Sequence, residues 1–291
     1  MMQFHFGELR NCSVRSYLLL RGRARVGGDV AVYYFDANES WQSKGTIMAI
    51  NVLVNGAFGR MGQITVKAIE QQENLRLVGQ TGREYDLKKA IRDSGAQVVV
   101  DFTHPDSAFE NTATIIEAGA HPVIGTSGLQ LDQIKKLQAQ AAKTNLGGII
   151  APNFSLGAVL LMKYAKEIAK YIPNVEIIEM HHENKADSPS GTSIRTAEML
   201  NEGNNNINAN AHTSHETIVG ARGANYKNIS IHAVRLPGFL AHQQVIFGNP
   251  GETLTLRHDS IDRISFMPGV CFACEKVMRL DKLIYGLEEI L

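Results

Sequence analysis

The densest chemical segment of the chain is Glu179-Met180-His181-His182-Glu183-Asn184-Lys185-Ala186-Asp187-Ser188-Pro189-Ser190-Gly191-Thr192. Histidine is the side chain that changes charge nearest neutral pH, and a lysine four residues on adds a cationic donor. His181 with Lys185 is therefore a pair suited to protonating a reduced carbon or a leaving group. Adjacent residues on a strand point to opposite faces, so His181 and His182 share a site only if the chain leaves the strand after Met180. Ser190-Gly191-Thr192 opens a predicted helix, and free N–H groups beside a hydroxyl make a carboxylate site. A plain helix cap accounts for the same residues. Zinc is the rival use of paired histidines, but no Cys or Glu spacing completes a ligand set, and no metal site is predicted.

A second constellation, Gly56-Ala57-Phe58-Gly59-Arg60-Met61-Gly62, lies between a predicted strand and a predicted helix. Glycines there allow a tight turn, close approach to a pyrophosphate and close helix packing, with the phosphates at the helix N-terminus. The spacing is G-x-x-G-x-x-G rather than G-x-G-x-x-G, a variant of the dinucleotide fingerprint, and Phe58 occupies the usual second glycine. Arg60 reaches a phosphate oxygen or is simply solvated. About 20 residues on, where an acid normally accepts from the adenine ribose, the chain reads Gly79-Gln80-Thr81-Gly82-Arg83. With Gln80 in place of an acid nothing repels a 2′-phosphate, and Arg83 either pairs with one or faces solvent. Cys271-x-x-Cys274 has the spacing of a redox or metal pair but falls on an apolar helix, so both are read as core thiols. His104, His121, His212, His215, His232, His242 and His258 are singly placed and are read as structural.

The elements that must position these groups alternate from Met48 onward. Strands are predicted at Ala49–Asn55, Leu75–Gly79, Val98–Phe102, Pro122–Ile124 and Gly148–Ile150. Helices between them carry inward stripes such as Met61, Ile64, Ala68 and Ile69, or Leu131, Ile134, Leu137 and Ala141. Strand and helix in alternation predict a Rossmann-like, doubly wound parallel sheet that binds ligands beyond the carboxyl ends of its strands. After a long helix, Val159–Ile172, the pattern changes to strand Val175–Met180, a helix from about Thr192 to Leu200, an asparagine-rich surface loop over residues 201–212, and strands Ile229–Arg235, Gln243–Phe247 and Thr253–Arg257. This reads as an α+β domain with a mostly antiparallel sheet. The predicted division is residues 48–153 for the dinucleotide, 154–268 for substrate and oligomerisation, and 269–291 as a terminal helix packing back on the first domain. Residues 1–47 keep no period of 2 or 3.6, and the pattern predicts a disordered or artefactual extension before a start at Met48.

Lys plus Arg number 29 and Asp plus Glu 29, for a formal net charge of zero. Such a chain has no global field to hold nucleic acid or an anionic membrane. No apolar run reaches membrane-spanning length, and three cysteines make no disulfide framework. A soluble cytoplasmic protein is the expectation.

Taken together, GAFGRMG, VVVDFTHP, PVIGTSG, IIAPNFSLG and EMHHENKADSPSGT resemble the 4-hydroxy-tetrahydrodipicolinate reductase family, formerly dihydrodipicolinate reductase, over residues 48–291. The HHxxKxDxPSGT string is specific to that family, whereas the glycine turn fits many. The resemblance implies hydride transfer from NADPH or NADH to C4 of a cyclic imine dicarboxylate, with its 4-hydroxyl lost as water, in diaminopimelate and lysine synthesis, by a homotetramer. It implies His181 as general acid/base, Lys185 as proton donor, and His182, Gly191 and Thr192 as holders of a substrate carboxylate. It further implies Gly56, Ala57, Phe58, Gly59, Arg60 and Met61 on the pyrophosphate, Gly125, Thr126 and Ser127 along the nicotinamide ribose, and Ala151, Pro152, Asn153 and Phe154 beside the nicotinamide. The chain departs from the family at Gln80, in a short stretch between Gly79 and Val98, in Ala241-His242-Gln243 where Gly-Glu-His is common, and in residues 1–47. An aspartate or homoserine dehydrogenase-like enzyme, which should lack the HHxxKxDxPSGT loop, and a non-catalytic dinucleotide-binding protein are the alternatives.

Overall fold

The computed structural model describes residues 20–26, 29–36, 39–47, 49–209 and 215–291, the first three stretches as backbone only. Strands β1 (Leu20–Val26), β2 (Asp29–Asp36) and β3 (Glu39–Ile47) form an antiparallel sheet of their own. Periodicity predicts no element there, and the described backbone corrects that reading. Val26 pairs with Asp29, so β1 and β2 are neighbours in sequence as well as in the sheet, a local pairing that a search for sustained periodicity passes over. The run Val30-Ala31-Val32-Tyr33-Tyr34-Phe35 also has the β-branched and aromatic content that strands favour.

From Ile50 the chain builds β4 (Ile50–Asn55), α1 (Arg60–Glu70), β5 (Leu75–Thr81), α2 (Leu87–Ser94), β6 (Val98–Asp101), α3 (Pro105–Glu117), β7 (His121–Ile124), α4 (Leu131–Ala142) and β8 (Gly148–Ile150). Successive residues of these strands serve opposite cores. Val52, Val54, Val98 and Val100 join one apolar cluster, with Ile69 of α1. Leu53 and Val99 join the other, with Ile91, Ile115 and Leu137 of the helices on the far side. A strand buried on both faces needs the continuous apolar run that the sequence shows. Leu131 departs from its predicted inward stripe: as the first residue of α4 it is 71% exposed.

The remainder supplies α5 (Leu156–Ala169), β9 (Val175–His181), α6 (Gly191–Gly203), β10 (Ala224–Tyr226), β11 (Ile229–Arg235), β12 (Ala241–Asn249), β13 (Glu252–Ser260), α7 (Met267–Val277) and β14 (Leu283–Tyr285). Its sheet has the order β10-β11-β9-β12-β13, in which only β11 and β9 run parallel. The asparagine-rich segment is no simple surface loop in its described part. Ile207 is buried, and the Asn208 side chain bonds both the N–H and the carbonyl of Val175, tying the segment to the start of β9.

The larger sheet runs β14-β8-β7-β6-β4-β5, all parallel. The chain leaves β4 for β5 on one side and returns to β6 on the other, so the carboxyl ends of β4 and β6 flank the switch point where such sheets bind ligands. α7 packs beside α1 on one face, and β14 closes the far edge beside β8. Among the described residues no helix is long and apolar enough to cross a membrane.

Candidate active site

At the switch point the chain turns at Gly56, whose φ of +80° suits glycine and whose Cβ would stand 2.3 Å from the Phe102 carbonyl oxygen. A Cβ on Gly62 would stand 2.0 Å from the Gly56 carbonyl oxygen, so the first turn of α1 lies directly on the loop. α1 begins after Gly59 without a side-chain cap, which leaves its first N–H groups directed at whatever occupies the loop. The cleft beyond measures about 710 Å³ and is lined by Gly56, Phe58 and Gly59 on one side and by Thr103, His104 and Ser107 on the other. That is the volume of a cofactor-sized pocket, and a backbone cradle with an uncapped helix end fits a pyrophosphate. Arg60 is exposed, Met61 is half-buried and Ala57 is buried beneath the turn.

Beneath the cleft Asp101 is fully buried. Its carboxylate accepts from Asn55 Nδ2 at 2.7 Å, Asn111 Nδ2 at 3.0 Å, Thr103 Oγ1 at 2.8 Å and the Thr126 hydroxyl. Thr126 therefore braces β6 against the loop after β7. Gly125 packs on the Phe102 ring, and Ser127 is exposed.

One expected cofactor residue lies outside the lining of the cleft. β5 continues through Thr81, which is buried because its hydroxyl donates to Asn55 Oδ1 at 2.9 Å. Gln80 consequently faces solvent, and Gly82 and Arg83 line the cleft instead. The absence of an acid still holds, now at Gly82.

The chemical loop begins inside β9 rather than after it. His181 pairs in register with Arg235 and Ala241, so His181 and His182 diverge, and His181 alone lines the neighbouring cavity, together with Asn153, Thr192, His242 and His258. Two residues earlier on the same face, Glu179 is fully buried. One carboxylate oxygen meets His181 Nδ1, and the other accepts from Arg235 Nη2 at 2.7 Å. Burial pushes the Glu179 carboxyl upward, but hydrogen bonds and positive charge from His181 and Arg235 outweigh it and hold the group below the usual carboxylate range. Lys185 does not touch His181: its ammonium donates to Asp187 Oδ1 at 2.6 Å, while Arg235 Nη2 donates to the Asp187 carbonyl at 2.8 Å. Asp187 is held below its ordinary value in the same way, the Lys185 contact overcoming the upward push of burial.

α6 carries the cap expected of Ser190, whose hydroxyl accepts from Ser193 N at 3.2 Å. That bond occupies one donor only. The N–H groups of Gly191 and Thr192 belong to the first turn, where no helical carbonyl serves them. Asn153 joins the two halves of the molecule: its Nδ2 donates to Thr192 Oγ1 at 3.3 Å, and its Oδ1 accepts from Ser155 N at 2.8 Å. Phe154 is buried edge-on to Phe102, at 6.0 Å between centroids, and Ala151 is buried, whereas Pro152 is exposed.

His258 and His242, which sequence alone reads as isolated, both reach the cavity. Ser155 Oγ lies 3.0 Å from His258 Nε2, and His242 Nδ1 lies 2.6 Å from Asp259 Oδ1. Burial drives His258 below the ordinary histidine value, against the pull of Asp259, so the neutral ring faces Ser155. Period-2 alternation back from His181 could have found Glu179. In the sequence Asp101 stands out only within the VVVDFTHP segment, Arg235 only as a strand end and His258 only as a structural histidine. Cys271 and Cys274 are buried in α7, and burial raises both thiols, Cys271 to about 11.

The chain is similar to known proteins along most of its length. A family model described as "Dihydrodipicolinate reductase, N-terminus" matches residues 50–154, and its C-terminal counterpart matches residues 157–291. The 4-hydroxy-tetrahydrodipicolinate reductase of Coxiella burnetii is 53% identical over 244 residues, which is 84% of this chain and all of that protein. That of Streptococcus uberis is 46% identical with the same coverage. A solved structure, dipicolinate-bound dihydrodipicolinate reductase from Paenisporosarcina sp. TG-14, is 41% identical and superposes with a TM-score of 0.76 over 84% of this chain and all of that one. With both halves matched, and whole relatives accounted for between them, the chain belongs to the dihydrodipicolinate reductase family.

Proposed function

We propose that this chain reduces 4-hydroxy-tetrahydrodipicolinate to tetrahydrodipicolinate, using NADPH or NADH, as a cytoplasmic homotetramer serving diaminopimelate and lysine synthesis. The observation that carries the reading is the convergence at Asn153. The loop expected beside the nicotinamide is hydrogen-bonded to Thr192, the first-turn hydroxyl of α6, on the same cavity as His181.

Net, the reaction takes one hydride and one proton, forms a C–H bond at C4 and releases the 4-hydroxyl as water. The reduced nicotinamide, when bound, supplies the hydride. The protein does the rest. The turn from Gly56 to Met61 and the open end of α1 hold the pyrophosphate. Gly191 and Thr192 bind a substrate carboxylate through first-turn N–H groups and a hydroxyl, with His182 at the mouth of the loop. His181, beside Glu179, holds or moves the proton at its Nε2, because Nδ1 lies against the carboxylate. Lys185, anchored on Asp187 in the same loop, is the cationic donor.

The test is to generate substrate in the cuvette with the preceding synthase and to follow loss of reduced-nicotinamide absorbance. Oxidation that depends on both the synthase and this protein, and that dipicolinate inhibits, is expected. Absence of oxidation with either cofactor would overturn the proposal.

A further inference from the structure

Two large aromatic side chains at the rim of the dinucleotide cleft remain in solvent. Phe58 is 56% exposed and Tyr85 54% exposed. Their rings stack, with centroids 6.0 Å apart and planes at 29°. They come from the two loops that bound one side of the cleft, the phosphate turn and the β5–α2 connection.

Each is held where it is. Gln63 Nε2 donates to the Phe58 carbonyl at 3.0 Å. Gly82 lies under the Phe58 ring, where a Cβ would come 3.0 Å from Phe58 Cδ2, so the absence of a side chain makes room for it. Tyr85 N donates to the Gly82 carbonyl at 3.1 Å. Tyr85 also precedes Asp86, the N-cap of α2, whose side chain accepts from Lys89 N at 3.0 Å. An apolar residue just before an N-cap usually folds down on the fourth residue of the helix. Here that residue is Ala90, which offers only a methyl group, and the tyrosine ring turns to Phe58 instead.

The opposite wall of the cleft, with Thr103, His104, Asp106 and Ser107, is polar. A dinucleotide whose pyrophosphate lies on the Gly56 turn, and whose adenosine ribose reaches Arg83, extends its base toward Tyr85. The purine is the one part of that half with a flat apolar face. We infer that Phe58 and Tyr85 form a stacking platform for the adenine ring, so that this chain draws cofactor affinity from the base as well as from the phosphates. The inference rests on the dinucleotide reading above and gives the Phe58 side chain a role beyond its backbone in the turn.

Stacking a base on an aromatic side chain changes affinity by roughly 5- to 150-fold, and for two half-exposed rings the lower part of that range applies. In the full chain, Tyr85→Ala should weaken binding of 2′,5′-ADP, measured by calorimetry, by about tenfold. The same variant should leave the affinity for reduced nicotinamide mononucleotide within about twofold, since that molecule lacks the base. Tyr85→Trp should keep the wild-type affinity for 2′,5′-ADP, and its added emission, over that of the single native Trp41, should be quenched by 2′,5′-ADP and not by the mononucleotide. Unchanged 2′,5′-ADP affinity in Tyr85→Ala, or an equal loss for both probes, would overturn the platform. Failure of the wild-type protein to bind NADPH and NADH would instead sink the dinucleotide reading, so the two failures are told apart.

Discussion

Replacing Glu179 by glutamine removes one charge and little volume from the centre of the site. In the native protein the carboxylate is fully buried between His181 Nδ1 and Arg235 Nη2. An amide can accept from only one of these donors and must turn its own NH2 toward the other. The lost charge-assisted hydrogen bond is worth about 1.5 to 3 kcal/mol, or roughly 10- to 150-fold if it is expressed in the aim of His181. The expected result is a fall of that size in kcat, with Kd for NADPH within about twofold of wild type, because the cofactor cleft is built from other strands. Alanine is the less informative change. It takes the carboxylate partner from Arg235, which keeps its bonds to the Val234 and Asp187 carbonyls, and it opens a cavity beside His181, so a loss of stability would be mixed with the loss of activity. The pH dependence follows from the lowered Glu179 value. A carboxyl that titrates lower in the folded state contributes stability above its unfolded pKa of about 4.3 and loses it as pH falls through the folded value. Wild-type Tm should therefore drop more steeply than that of Glu179→Gln below about pH 4. Kcat in Glu179→Gln within about threefold of wild type, with parallel acid limbs of Tm, would refute the idea that this carboxylate aims the histidine.

Thr192→Val keeps shape but removes the hydroxyl that Asn153 contacts, and it should raise KM for the imine and weaken dipicolinate inhibition by roughly 10-fold or more; unchanged values would reduce α6 to a plainly capped helix. Arg83→Ala should weaken NADPH about tenfold and leave NADH alone, whereas Gln80→Glu should shift the ratio less than about twofold, because residue 80 lies off the cleft. Steady-state kcat/KM for the two cofactors checks both. Cys271 and Cys274 should resist iodoacetamide in the native protein at neutral pH and react once it is unfolded, since burial raises both thiols, Cys271 to about 11; labelling of native protein within minutes would contradict their burial.

The parts of the site that depend on local pattern were legible in the sequence. β4, the glycine turn and α1 follow from a continuous apolar run meeting three spaced glycines, and the loop from His181 to Thr192 announces itself by residue type. What pattern could not supply were partners distant along the chain. Arg235 lies 56 residues beyond Glu179 and meets it only because β11 pairs with β9. Asp101 looks like an ordinary strand end, yet it is bonded by side chains from three other segments, at Asn55, Asn111 and Thr126. Gln80 lies outside the cleft lining because strand ends are set by such contacts: Thr81 is polar, but it is buried and bonded to Asn55, and β5 runs two residues further than its apolar pattern. Asn208 reads as loop by composition and is instead fixed by the backbone of Val175.

The central claim, that this chain delivers a hydride to the imine ring while the His181 loop manages the proton, is tested most directly by isotope. In the synthase-coupled reaction with NADPH carrying two deuterium atoms at C4 of its nicotinamide, the account predicts one deuterium per molecule of tetrahydrodipicolinate by mass spectrometry. It also predicts that His181→Ala slows its appearance by about 10²- to 10⁴-fold while still binding the cofactor. Product without deuterium, or label transfer at the wild-type rate in His181→Ala, would contradict it.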